Sequence, residues 1–306
     1  PRVNVSRVGG WNVRGVCDEG KRMEVVDVFK RGKFDVLGLC ETNLKGSEEF
    51  QWGDVNGVRS GMIGNGRGKE GVAVLISEAW FGALVEYKCV SSRIVCVKFK
   101  FARAKVCIVC AYGPVNDRSE EEKARFWNRL KSVVDDIGNG YRVIVMGDLN
   151  GWIGDQERAG VTGLHGVPGV NENGERVVDF CAEKEFCVGN TFFKHKDIHK
   201  YTRVGQSRNG EVRSMIDLVL FKRNMLKDVC DVKCIRGLSG GLSDHMIVLC
   251  KLRVIGTWMR RQEKASEGKR IRSEKLQNED IRKRFEQLIE VKKREDLDVE
   301  GCWNQM

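Results

Sequence analysis

Ser243-Asp244-His245 stands between the glycine-rich stretch Gly237-Leu238-Ser239-Gly240-Gly241 and the apolar run Met246-Ile247-Val248-Leu249. An acid beside an imidazole at the mouth of an expected strand points to catalysis more than to packing. Four further polar clusters punctuate apolar runs: Trp11-Asn12-Val13-Arg14, Cys40-Glu41-Thr42, Gly147-Asp148-Leu149-Asn150 and Met215-Ile216-Asp217. Carboxylates, amides and one imidazole held at strand ends suit hydrolysis assisted by a metal ion.

Hydrolysis of a phosphodiester needs an activated water, a stabilised phosphorane charge and a neutralised leaving oxygen. A hard divalent cation serves several of these, and magnesium keeps waters of its own, so few protein carboxylates are required. Glu41, just past a buried run, suits that role; it equally reads as an exposed Glu beyond a strand end. Asp148 and Asn150 alternate after a strand end and so can face one cleft, Asp148 to orient or deprotonate water and Asn150 to bind a phosphate oxygen. An Asx turn accounts for the same pair. Asp217 lies inside an apolar run, where an unpartnered carboxylate is costly, and His245 is the natural partner. His165, His195 and His199 lie in polar stretches and read as surface residues.

These clusters need a scaffold of strands. Strand signals recur at 3–8, 34–40, 71–76, 94–101, 106–112, 142–146, 216–221, 229–235 and 246–254, with 71–112 reading as a meander. Helical periodicity is confined to 21–30, 119–137 and 173–185, the second opening on Ser119 and Glu122 as a capping box. Many short strands with few helices predict an α/β (α+β) architecture of two packed sheets covered by helices, over a doubly wound parallel sheet. The glycines of 53–71 are scattered and lead into a strand, which predicts a mobile loop rather than a phosphate cradle. Residues 1–254 carry the pattern. Residues 255–306 lose it and read as a charged linker with a helical stripe at Ile281, Phe285, Leu288 and Ile289.

Composition narrows the partners. The net charge is +10, and 256–306 holds 13 basic and 11 acidic residues, so most of the excess lies in the first part of the chain. That balance favours an anionic partner, nucleic acid before an acidic membrane surface. No apolar run approaches the roughly 18 residues that span a bilayer, and no membrane partner is expected. Cys107 and Cys110 form a C-x-x-C within a strand, where residues three apart face opposite ways, so the pair should not chelate zinc. The twelve cysteines read as reduced thiols of an intracellular compartment. The start at Pro1, already strand-like, reads as that of an excised domain.

Trp11-Asn12-Val13-Arg14, Leu39-Cys40-Glu41-Thr42, Tyr112-Gly113-Pro114, Gly147-Asp148-Leu149-Asn150, Ile216-Asp217 and Ser243-Asp244-His245, in that order, resemble the endonuclease/exonuclease/phosphatase superfamily. Within it the chain is most similar to apurinic-type endonuclease domains of non-LTR (LINE-like) retrotransposons, over residues 2–254. The resemblance implies a four-layer sandwich of two mainly antiparallel sheets flanked by helices. It also implies a magnesium-dependent DNA endonuclease, with manganese as a substitute, that leaves a 3′ hydroxyl. Glu41 would be the main metal ligand, with Asn12 and Asp244 beside it. Tyr112 would donate to the scissile phosphate, Asp148 would activate water and Asn150 would bind phosphate. Asp217 would orient His245, which would stabilise the pentacovalent phosphate. Tyr112 favours the apurinic and retrotransposon branch, because deoxyribonuclease I, sphingomyelinases and inositol phosphatases resemble one another in having a His near this position.

One departure is Arg203 after Tyr201-Thr202, where relatives often carry Trp. Arg14, Lys200, Arg203 and Arg213 are the expected DNA contacts, in a region that also holds Lys194, Lys196 and Arg208. A DNA substrate implies nuclear residence, and in a longer parent protein a reverse transcriptase domain would follow. Two rivals stay open: the same fold acting on RNA or on a phospholipid or phosphoinositide, and a non-catalytic chromatin-binding module.

Overall fold

Two strand–helix–strand units, each closing on a pair of parallel strands, organise the chain. The structure, a computed structural model, describes residues 5–64, 70–102, 104–207 and 210–253; the expected helical stripe at 281–289 and Arg208 lie outside them. In chain order the elements are β1 (Ser6–Asn12), α1 (Glu19–Arg31), β2 (Val36–Cys40), β3 (Ser47–Trp52), β4 (Val55–Ser60), β5 (Val72–Ile76) and α2 (Glu78–Phe81). Then come β6 (Leu84–Ser91), β7 (Ile94–Phe101), β8 (Ala104–Ala111), α3 (Glu120–Asp135), β9 (Tyr141–Asp148), α4 (Glu172–Glu183) and β10 (Phe186–Val188). The last are β11 (Arg203–Ser207), β12 (Gly210–Ser214), β13 (Asp217–Lys222), β14 (Val229–Ile235) and β15 (Ile247–Leu252).

One sheet runs β14-β15-β1-β2-β5-β4-β3 and the other β10-β13-β9-β8-β7-β6, while β11 and β12 form a separate hairpin. Among the strands of the described residues, β1 with β2 and β8 with β9 pair in parallel and the others antiparallel. A parallel pair needs a crossover, and α1 and α3 supply the two. Their N-termini are capped by Asp18, which accepts from the Lys21 amide, and Ser119, which accepts from the Glu122 amide.

Three apolar layers hold the sheets and helices together. The middle one lies between the sheets and joins Val8, Val36, Val74 and Val248 to Val97, Ile108, Ile144 and Val219. A second buries Phe126, Trp127 and Leu130 of α3 and Val177 and Phe180 of α4 against the six-stranded sheet. The third buries Val25, Val26 and Phe29 of α1 against Leu37, Leu39 and Trp11. Helix, sheet, sheet and helix give the expected four-layer sandwich.

Two local expectations are corrected. Residues 71–112 are not one meander: β5 pairs with β2 and β4, whereas β7 and β8 belong to the opposite sheet. Alternating apolar residues identify a strand, but not its partner. The glycine-rich stretch is not simply a loop either, since it contains β4, paired on both sides. Gly57 in β4 would place a Cβ 2.7 Å from the Val74 carbonyl oxygen and against Phe50, so its glycine serves close packing. The C-x-x-C reading holds: Cys107 packs in the helix-covered layer and Cys110 between the sheets.

Gly147, in β9, carries the tightest constraint next to the functional clusters. Its φ is +143°, and a Cβ there would meet the Ala111 carbonyl oxygen at 2.1 Å and the Cys40 sulfur at 2.8 Å. Both obstacles belong to strands that end in expected site residues. We predict that Gly147→Ala destabilises the fold by about 3 kcal/mol or more. Urea unfolding checks this, and a change below about 0.5 kcal/mol, within the range of ordinary surface substitutions, would contradict the packing described.

Candidate active site

The strand ends converge. In β1 and β2 the register sets Asn12 opposite Cys40, so Asn12 and Glu41 emerge side by side. In β9 and β13 it sets Asp148 directly opposite Asp217. Tyr112 follows β8, and His245 sits two residues before β15.

Hydrogen bonds join these residues into one network. Asn12 Nδ2 donates to Glu41 Oε2 at 3.1 Å and to Asp148 Oδ2 at 2.9 Å. Tyr112 Oη donates to the same Glu41 oxygen at 3.3 Å. Asp217 Oδ2 lies 2.8 Å from His245 Nδ1, and Asp148 Oδ2 lies 3.9 Å from that nitrogen. Asn12, Asp148, Asp217 and His245 are all buried, with Glu41 half-buried at the edge. Six of the expected residues, Asn12, Glu41, Tyr112, Asp148, Asp217 and His245, are therefore one connected group, which Asn150 joins through its amide on Asp148 and Asp244 through an oxygen 3.9 Å from His245 Nε2.

Turn chemistry gives each side chain its aim. The Asn150 amide donates to Asp148 Oδ1 at 2.9 Å, so the Asx turn that the sequence also suggests is present. The Arg14 amide donates likewise to Asn12 Oδ1 at 3.0 Å, and the His245 amide to Ser243 Oγ at 3.1 Å. Ser243 Oγ then donates to the Asn12 carbonyl at 2.7 Å, and Trp11 Nε1 to the His245 carbonyl at 3.1 Å, locking β1 to the His245 turn. Arg14, Glu41 and Asn150 take left-handed backbone conformations with φ of +48°, +54° and +51°. Such strain in non-glycine residues persists only where surrounding contacts hold it, and here it gathers in one place.

Several assignments change in detail. Asn12 spends its amide group bridging two carboxylates, while Asn150 Nδ2 donates to the Gly113 carbonyl at 3.0 Å. Asp244 Oδ2 is paired with Arg14 at 3.0 Å and Arg203 at 3.2 Å. Both arginines remain about half exposed at the mouth of the site. Arg213 pairs with Glu211, and Lys200, largely buried, sits 3.5 Å from Asp197. His195 is no plain surface residue, since its Nε2 lies 2.7 Å from Asp231.

Sequence reasoning missed Thr202 and Arg93. Thr202 Oγ1 accepts from the amides of both Ile216 and Asp217 at 3.0 Å, fixing the start of β13. Arg93 lies over the Tyr112 ring, with its guanidinium carbon 5.0 Å from the ring centre. A buried Thr beside a carboxylate, or an Arg at a strand start, carries no periodic signal.

Burial and charge tune the group. Burial, together with the charge of Asp217, pushes Asp148 up to about 6. Burial alone would lower His245, but the charge and hydrogen bond of Asp217, then Asp148 and Asp244, outweigh it and raise the ring to about 9. Burial and the neighbouring Glu41 and Asp148 charges push the Tyr112 phenol up, so it stays protonated.

The residues fit a divalent cation. Asp217 Oδ1 and Asp244 Oδ1 are buried without a hydrogen-bond donor, which buried carboxylate oxygens rarely tolerate unless a cation or water completes them. Asp148, Asp217 and His245 each offer a ligand atom within 4.8 Å of the others. Carboxylate oxygens are the donors that hard cations take.

Comparison with known proteins identifies the family and the fold. The model of the Endonuclease/Exonuclease/phosphatase family matches residues 9–245. Craniofacial development protein 2 from Bos taurus is 27% identical over 247 residues, 81% of this chain and 41% of its own length. That from Tragulus javanicus is 27% identical over 81% of this chain and 42% of its own. The chain thus spans less than half the length of these relatives. Among solved structures, an AP endonuclease from Archaeoglobus fulgidus superposes with a TM-score of 0.60 at 18% identity, covering 81% of this chain and 100% of that one. The endonuclease domain of TRAS1, a telomere-specific non-LTR retrotransposon, gives 0.58 at 17% identity, with 82% and 99% covered. With a family match running from β1 to His245, and a fold that agrees with it, this chain belongs to the endonuclease/exonuclease/phosphatase family.

Proposed function

We propose that this domain is a magnesium-dependent DNA endonuclease, with manganese able to substitute, that leaves a 3′ hydroxyl. It would serve as the nicking domain of a non-LTR retrotransposon or of a protein derived from one. The observation that carries this reading is the single network from Glu41 through Asn12 and Asp148 to the Asp217–His245 pair, with Tyr112 donating into it. Tyr112 and the net charge of +10 favour a nucleic acid over a lipid. Such a substrate would have the protein work in the nucleus.

Glu41 and Asp244 Oδ1, which accepts no hydrogen bond, would hold the cation. When bound, it supplies Lewis-acid polarisation of the phosphate and charge neutralisation. The remaining work falls to the protein. Asp148, with a proton affinity near neutrality, accepts a proton from the attacking water. His245, held by Asp217, stays cationic at neutral pH and faces the charge that builds on the phosphorane. Tyr112 keeps its proton and donates it in a hydrogen bond to a phosphate oxygen. Arg14 and Arg203, anchored by Asp244, contact flanking phosphates.

The substrate is tested on supercoiled DNA, single-stranded RNA and phosphoinositide vesicles, each with magnesium. Cleavage of DNA alone, with ends that a polymerase extends directly, is expected; preferential turnover of RNA or lipid would replace the proposal with one of its rivals. His245→Ala should slow nicking by about two to four orders of magnitude, and a full-rate variant would remove His245 from the chemistry.

A bell-shaped pH dependence follows. The rate rises as Asp148 loses its proton near 6 and falls as His245 loses its own near 9. Because the folded His245 value lies above the ordinary 6.5, its protonation stabilises the fold fully below about 6.5, and this is lost as pH rises through about 9. Asp217→Asn should move the alkaline limb to lower pH. An unmoved limb would contradict the assigned pair.

A further inference from the structure

Arg93 is the most heavily committed cation outside the network described above. It occupies the turn between β6 and β7, and its side chain is only 12% exposed. Nη1 donates to the Tyr112 carbonyl at 3.3 Å and to the Gly113 carbonyl at 3.2 Å. Nη2 pairs with Glu70 at 2.7 Å and with Glu122 of α3 at 3.4 Å. The guanidinium lies over the Tyr112 ring at 5.0 Å. One side chain thus grips the backbone and the ring of Tyr112 together.

The grip reaches the phenol's acceptor as well. Glu70 donates nothing to the site, but its carbonyl accepts the Asn43 amide at 2.7 Å, and the next carbonyl, of Gly71, accepts the Thr42 amide at 3.0 Å. Those bonds hold the turn in which Glu41 and Asn43 adopt left-handed conformations. Ser92 Oγ bonds to Glu70, and the Ser92 carbonyl accepts the Gly71 amide at 2.9 Å. Arg93 therefore ties the segment carrying Glu41 to the strand end carrying Tyr112, the two ends of the 3.3 Å bond from Tyr112 to Glu41.

Packing alone does not fix this side chain. A cavity of about 330 Å³, lined by Glu70, Ser92, Arg93, Glu122 and Arg125 among others, opens beside it. The guanidinium is held by its two carboxylates and two carbonyls. A planar fork with several donors can satisfy four acceptors and stack on a ring at once, which an ammonium or an amide cannot.

We propose that Arg93 is a positioning residue that sets the Tyr112 phenol relative to Glu41, so that the phenol meets the substrate phosphate in register. Arg93 does not touch the substrate. The proposal rests on the nuclease reading for its kinetic consequence, and on geometry alone for its structural one.

A double-mutant cycle with Tyr112→Phe separates positioning from a general loss of stability. Arg93→Gln should lower kcat by about tenfold to a hundredfold, the scale of a misplaced catalytic group, with KM for supercoiled DNA changed less than twofold. In the Tyr112→Phe background the same substitution should cost less than about threefold. Equal costs in both backgrounds would show that Arg93 acts on the fold at large and would overturn the proposal. If Arg93→Gln does not fold, Arg93→Lys carries the same comparison, since it keeps charge and loses the fork. A second readout needs no activity. The chain has four tyrosines, so ¹³C-tyrosine labelling gives four ring signals. Arg93→Gln should move and broaden the Tyr112 signal while leaving the other three in place; an unmoved Tyr112 signal would refute the positioning role even if the wild-type protein cleaved none of the substrates tried.

Discussion

A carboxylate placed inside an apolar strand must be compensated, and the compensation of Asp217 shapes everything around it. Its partner is His245, 2.8 Å away and equally buried. Breaking a buried pair of this kind by removing one member costs about 3–5 kcal/mol, because the other charge is left without a counterpart. The pair also spans the molecule, since β13 belongs to one sheet and the His245 turn leads into β15 of the other. The same contact therefore joins the sheets at one end and sets the charge of the imidazole that faces the cleft.

Around that pair the two halves of the sandwich contribute in parallel. One sheet brings Asn12 and Glu41 from adjacent parallel strands; the other brings Tyr112, Asp148 and Asp217. Asn12 is the stitch between them, donating to a carboxylate of each. A mainly antiparallel sheet with one parallel pair puts these residues at a common end, and short turns with left-handed φ then aim them inward. The buried groups hold one another by hydrogen bonds, while the half-exposed Arg14 and Arg203 stand beside Asp244.

Much of this was legible in the amino-acid sequence, for identifiable reasons. Buried strands ending in Asp, Asn or Glu break the apolar pattern abruptly, so Glu41, Asp148, Asp217 and His245 are conspicuous one by one. The two sheets and the helices that cover them followed from the number of strands and the three helical periodicities, but the crossover roles of α1 and α3 did not. The partnering of strands was not legible: β5 alternates as β7 and β8 do, yet joins the other sheet. The polar edge strand β3 was invisible because edge strands are built from charged residues that carry no apolar alternation. Arg93 and Thr202 escaped for a related reason, since their importance lies in what they contact across the fold. The pairing of Asp244 with two arginines was hidden in the same way, and it redistributes the charge that the tripeptide alone implies.

The activity proposed for this network is hydrolysis of DNA with the help of a divalent cation held near Glu41. Single-turnover nicking of supercoiled plasmid tests it most directly, with wild type and Glu41→Ala compared in magnesium and in EDTA. Nicking by the wild type in magnesium only is expected, with a rate at least about a hundredfold lower in Glu41→Ala, on the scale of a lost metal-dependent charge stabilisation. A folded wild-type protein that leaves the plasmid intact in magnesium, or a Glu41→Ala protein that nicks at the wild-type rate, would contradict it.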